Sequence, residues 1–205
     1  MSIKKLVCVL LVIATVCCCA AACGSDKDSG GVASNLSGSA EEVLAGLTGA
    51  LAESGVQAPM SLPPMPVTAD VSQNTMGLSE ADFGKLVEDA SYTMAAIGTF
   101  AHQIIVVKAV DAGAAAEIKG LVAGDGGYDA KKWICVFPER AVAVDSGAYV
   151  LIVASAGAVA DVVVDAFKAA AGSTGEAEVF WEFAGGEAEG GEFEGGFGGG
   201  ALILG

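Results

Sequence analysis

The residues with the widest chemical reach in this 205-residue chain are its six cysteines and its one histidine. His102 has the chemistry of a general base or a metal ligand, but no Cys, Asp or Glu lies within three residues of it. It follows Ala101 at the start of an apolar run, which predicts a solvent-facing or hydrogen-bonded hairpin residue. A zinc site takes three or four ligands, and one His with one Cys in the body of the chain falls short. Cys135 sits in Trp133-Ile134-Cys135-Val136-Phe137 with no base beside it. That setting predicts a buried, inert thiol rather than a nucleophile. Ser146 lies in the turn sequence Asp145-Ser146-Gly147, and no Gly-x-Ser-x-Gly elbow occurs. Gly124-Asp125-Gly126-Gly127 lacks the Lys-Ser/Thr ending of a phosphate loop. With Asp129 it also lacks the alternating ligands of a calcium loop, so it reads as a plain turn. The adjacent pair Glu88-Asp89 would diverge by about 100° on a helix and reads as a solvated helix end. Lys131-Lys132 reads as a surface basic pair, open to an anionic ligand. No catalytic and no metal-ligating set emerges, and no cofactor is expected.

The other five cysteines crowd the N-terminus. Lys4 and Lys5 precede an uncharged apolar run over residues 6–16, and Ala20-Ala21-Ala22-Cys23 follows. This is the layout of a secretory leader, with an apolar run too short for a permanent membrane span. Cys8 and Cys17 follow Val, and Cys18 and Cys19 follow Cys. Only Cys23 follows a small residue, as a peptidase pocket cutting before a lipidated thiol requires. The segment resembles the bacterial lipobox, with Ala20 where Leu is usual. It implies cleavage after Ala22 and lipid attachment at Cys23, with Gly24-Ser25-Asp26 as a polar spacer. A diacylglyceryl group supplies two chains, each buried methylene contributing roughly 0.8 kcal/mol, which anchors stably where one chain holds only marginally. With Cys23 lipidated, Cys135 is the one free thiol left in the exported part, so no internal disulfide can form.

Net charge is −15, and loss of Lys4 and Lys5 with the leader takes it to −17. No basic stripe is present to displace counterions from phosphates, so nucleic acid is excluded as a partner. Peripheral attachment to anionic lipid through a polybasic patch is excluded on the same ground. Attachment to the outer face of the cell membrane therefore falls to the lipid on Cys23.

Pattern and punctuation divide the chain into a leader (1–22), a lipidated tether with a short helix and a Pro-rich linker (23–66), an α+β domain (67–171) and an acidic Gly-rich tail (172–205). Ser39-Ala40-Glu41-Glu42 is a capping box opening a helix with Val43, Leu44, Leu47 and Leu51 on one face and Gly55 as its stop. Residues 59–66 hold four of the five prolines. Ser79-Glu80-Ala81-Asp82 starts a second helix. Residues 92–97 and 102–110 read as a hairpin, 112–122 as a helix, 129–135 as a short helix, 141–145 and 148–155 as a second hairpin, and 156–170 as a last helix. The sum is an antiparallel sheet of about four strands, made of two hairpins and covered by helices on one face. In the tail, 176–183 alternates in the manner of an edge strand. Residues 185–200 are low in complexity and read as disordered, with Phe193 and Phe197 as weak stickers.

This order resembles a lipoprotein family grouped as domain-of-unknown-function family 4358, over roughly residues 67–170. The carriers are Ile104 to Lys108 followed by Asp111 and a helix with Glu117 and Ile118, then Trp133, Pro138, and Tyr149-Val150-Leu151-Ile152-Val153-Ala154-Ser155 before a helix closing on Ala166-Phe167. His102-Gln103 stands where many such domains carry a Glu-Ile pair. The resemblance implies fold and location and brings no functional residues. The expectation is a membrane-anchored, extracytoplasmic, non-catalytic binding or accessory module. Its candidate partner is an envelope protein or a small ligand. An envelope hydrolase whose site is assembled from residues remote in sequence is the alternative.

Overall fold

A computed structural model describes residues 32–133 and 135–183. Cys23, Ala22, the leader and the tail beyond residue 183 lie outside the described residues. Among the described residues five helices and six strands follow one another as α1 (Ala40–Glu53), β1 (Met65–Pro66), α2 (Ala69–Met76), α3 (Glu80–Leu86), β2 (Val87–Met94), β3 (Gln103–Ala109), α4 (Ala112–Ala123), β4 (Arg140–Ser146), β5 (Tyr149–Ser155), α5 (Gly157–Ala171) and β6 (Glu178–Glu182). The strands form one antiparallel sheet in the order β1-β2-β3-β5-β4-β6. The class is α+β, as the two hairpin patterns predict. The sheet has six strands rather than four, because β1 and β6 extend its two edges.

Helices cover both faces of the sheet, not one. The central strands show why: every residue of β5 is buried, and β3 departs from full burial only at Lys108. A strand wetted on one face alternates polar with apolar, whereas one buried on both reads as a continuous apolar run. Ile105, Val107, Ala143 and Ile152 point into a core closed by α2, α3 and α4 through Met76, Leu86 and Ile118. Ile104, Val106, Val144 and Leu151 point the other way, against Leu44 and Leu47 of α1 and Val163 and Phe167 of α5. The ordered fold therefore runs past the 67–171 boundaries on both sides. α1 supplies core residues, and β6 pairs with β4.

Local chemistry sets the ends. Ser39 and Glu42 form the capping box of α1, and the Ala40 amide donates to Asp89 Oδ2 at 2.7 Å. The Glu88-Asp89 pair thus belongs to β2, at an irregularity in its register, and not to a helix end. Glu88 pairs with Lys108 at 2.8 Å, while Asp89 places its charge at a helix N-terminus. β2 begins directly after α3, five residues before the expected start. Residues 129–133 form turns, not a helix; the Asp129 carboxylate accepts from the Lys131 amide at 2.8 Å and closes a local turn instead.

Candidate functional site

A cleft of about 960 Å³ opens at one end of the sheet. One wall is the segment after α4, carrying Tyr128, Lys132 and Trp133. A second is the C-terminal turn of α2, with Gln73 and Asn74. A third is β6, with Phe180 and Trp181. The glycine turn 124–127 lines the cleft too.

A backbone irregularity builds the β6 wall. Ala141 pairs with Trp181 and Val142 with Val179, leaving Phe180 as an extra residue. A bulge of this kind puts two successive side chains on one face, and both Phe180 and Trp181 pack against the α2–α4 side of the sheet. Phe180 meets Tyr128 edge-on, with ring centroids 5.7 Å apart. Trp181 Nε1 donates to the Pro138 carbonyl at 2.9 Å. Half-exposed Phe137 and Phe183 stack beside it as an outer lip.

Glycines hold the opposite wall. Gly77 ends α2 in the left-handed region at φ 78°. A Cβ there would collide with the Gly127 carbonyl and the Tyr128 nitrogen, and one on Gly127 would strike the carbonyls that end α4. Two backbones touch where side chains would normally separate them.

A polar knot ties the walls together. Buried Gln103 accepts through Oε1 from the Tyr128 hydroxyl and from Lys132 Nζ, each at 2.8 Å. The Lys132 ammonium is donor-only, which fixes the amide with its oxygen inward. Lys132 also donates to the Thr75 and Asn74 carbonyls at 2.8 and 3.2 Å, closing the end of α2. Its three protons are thereby engaged, and its charge sits 4.1 Å from the Tyr128 ring centroid and 5.6 Å from that of Trp133. Burial pushes its pKa down to about 8, against the pull of Asp129. Burial first, then Asp129, pushes the Tyr128 hydroxyl up. Trp133 Nε1 lies close enough to Tyr128 to oppose that shift, yet it is buried and makes no hydrogen bond among the described residues.

The expectations for single residues divide. Lys132 is a part-buried structural cation, while Lys131 is the exposed member of the pair, 5.6 Å from the Trp181 ring centroid. Cys135 is exposed, not buried, at a positive φ of 61°. Ser146 is buried and donates to the Ser173 carbonyl at 2.6 Å, pinning the chain after α5. Among the described residues no group of three or more His, Cys, Asp or Glu is placed to hold a metal ion.

His102 has no exposed surface and so is not solvent-facing. Successive strand residues point to opposite faces: Gln103 enters the cleft while His102 enters the layer of α1 and α5. There Nδ1 lies 2.8 Å from Ser155 Oγ and Nε2 lies 3.1 Å from Ser61 Oγ. Ser61 lines a separate hollow of about 500 Å³. Burial lowers the His102 pKa below the ordinary 6.5. Between that lowered value and 6.5 the unfolded chain binds more protons than the folded one. The stability this group contributes is thus complete above 6.5 and is lost as pH falls below it. Urea unfolding at about pH 7.5 and about pH 5 should show this loss, and His102→Gln should remove it. An identical pH dependence in the two proteins would contradict the assignment.

The cleft and the N-terminal end of the fold lie at opposite ends of the sheet. Val32, the first described residue, accepts at its carbonyl from the Gly147 amide in the β4–β5 turn, at 2.8 Å. Gln103 pairs with Ala154, at the far end of β5. The six steps of β5 from Tyr149 to Ser155 separate the two ends by roughly 20 Å.

Comparison with protein-family models, with curated proteins and with solved structures finds no match. The resemblance drawn from the sequence gains no support from them. Sequence reasoning missed the cleft because its two tryptophans, the only ones in the chain, come to line one hollow only once β6 is placed beside β4.

Proposed function

We propose that this chain is a lipoprotein held on the outer face of the cell membrane through Cys23 and that its folded domain is a non-catalytic binding module with the cleft as its site. The observation that carries the reading is the cleft itself: aromatic walls braced by a satisfied polar knot, in the size range of small-ligand sites. Its place supports the anchoring as well. Eight residues, 24–31, separate Cys23 from Val32 and reach at most roughly 30 Å. The tether joins the fold at the turn end of the sheet, away from the cleft, so attachment there leaves the cleft open.

The experiment exploits the tryptophans. Both line the cleft, so intrinsic emission reports on it directly. A library of ring-bearing fragments is titrated into the full chain, and the hits are repeated on Asn74→Phe, which plugs the cleft from an exposed helix position. Hits should shift the emission of the native protein and fail on the variant. Fragments that bind both equally would move the site elsewhere.

A second reading rests on Ser61, His102 and Ser155. A nucleophile, a base and a group orienting the base form the constellation of acyl transfer. Ser61 Oγ would add to an ester carbonyl as its proton passes to His102 Nε2. The alcohol would leave with that proton, and water activated at the same nitrogen would release the acyl group. This reading needs the proton on Nδ1. The other tautomer donates from Nε2 to Ser61, whose own proton then goes to the Pro59 carbonyl at 3.3 Å, leaving no nucleophile. That competition and the full burial of His102 place this reading second. A fluorophosphonate probe that labels the native chain and not Ser61→Ala would establish it; no labelling of the native chain would dismiss it.

A further inference from the structure

Given that reading of the cleft, we propose that its ligand is a neutral saccharide. Four charged residues line the cleft, Asp125 and Asp129 against Lys131 and Lys132, so the lining balances to zero in a chain of net charge −15. A cationic ligand would be repelled by the ammonium groups of Lys131 and Lys132, which lie along the rings. An anionic ligand would meet one lysine whose protons are engaged and one exposed lysine, Lys131, offset by Asp125 and Asp129, inside a strongly acidic molecule. A wholly apolar ligand would strip water from the amides of Gln73 and Asn74 without replacing it. Among the described residues those two exposed amides make no side-chain hydrogen bond, and each both donates and accepts. Aromatic rings and unspent neutral amides in one lining together complement a ring with an apolar face and a hydroxyl edge, which is the surface of a pyranose.

Maltotriose, cellotriose and triacetylchitotriose are titrated into the full chain in a detergent without a sugar headgroup. Trigalacturonate and chitosan trimer serve as charged controls, and tryptophan emission is the readout. At least one neutral trimer should give a saturable shift and bind more tightly than either control. Asn74→Ala, an exposed substitution that spares the fold, should weaken it about five-fold for one lost neutral hydrogen bond. Trp181→Ala should weaken it about ten-fold or more. A charged trimer binding tighter than every neutral one overturns the ligand class. So does silence from all trimers while ring fragments still bind and are blocked by Asn74→Phe, a result that leaves the cleft as the site. Silence from trimers and fragments alike overturns both.

Discussion

Gly77→Ala should cost about 3 kcal/mol of stability and open the cleft, although it adds a single methyl group. Alanine in the left-handed region costs about 1 kcal/mol. The rest comes from overlap: the new Cβ meets the Gly127 carbonyl and the Tyr128 nitrogen. These are backbone atoms and cannot rotate aside as a side chain would, and overpacking of this kind costs about 1–3 kcal/mol. The wall after α4 must retreat, taking Tyr128 from Gln103 and Lys132 from the end of α2. Equilibrium urea unfolding should read the loss, and native-state tryptophan emission should shift red as Trp133 gains water. Gly120→Ala is the matched control, since a Cβ there meets nothing within 4 Å inside α4. It should stabilise by about 0.5–1 kcal/mol. Equal stability in the two variants would mean that the walls do not touch where the glycines bring them together.

The second large effect concerns place. Cys23→Ser should abolish labelling by radioactive palmitate, and any chain released from its leader should fractionate as soluble. Serine offers no thiolate to alkylate. Without acyl chains, each methylene of which contributes roughly 0.8 kcal/mol, nothing holds an acidic chain of this charge to anionic lipid. The described residues include no helix long and apolar enough to cross a membrane. Cys135→Ser should leave labelling and fractionation unchanged, although Cys135 is exposed. A Cys23→Ser protein that still incorporates palmitate would refute the anchor.

Much of the fold was legible because its signals are local. Ser39 with Glu42, the apolar run of β3 and the turn at Gly147 declare a capped helix, a strand and a hairpin from a few neighbouring residues. Burial of β3 and β5 on both faces was legible as well, in their unbroken apolar runs, but the two-hairpin reading left α1 outside the domain and so one face uncovered. The strand Val87–Met94 was hidden by Glu88 and Asp89. They face an edge, where Lys108 and the α1 N-terminus compensate them, and such compensation is long-range. The cleft lay deeper still. Gln103 looks like a polar interruption of a strand until Tyr128 and Lys132 arrive from 25 and 29 residues away. The bulge that turns Phe180 and Trp181 to one face exists only in the pairing with β4. Cys135 misled because an apolar neighbourhood in sequence is not a core in space; a left-handed turn carries it outward.

The account turns on whether ligand enters between Trp133 and Trp181, and two nitrogen-15 indole resonances can answer that. In a chain with two tryptophans each signal is assigned by one substitution. During titration with the best-binding neutral trimer, the Trp133 resonance should move most, because its ring lines the cleft and no carbonyl holds its N–H. The Trp181 resonance should move less, since its N–H already donates to Pro138. A trimer that binds while both resonances stay still would contradict the cleft as the binding site.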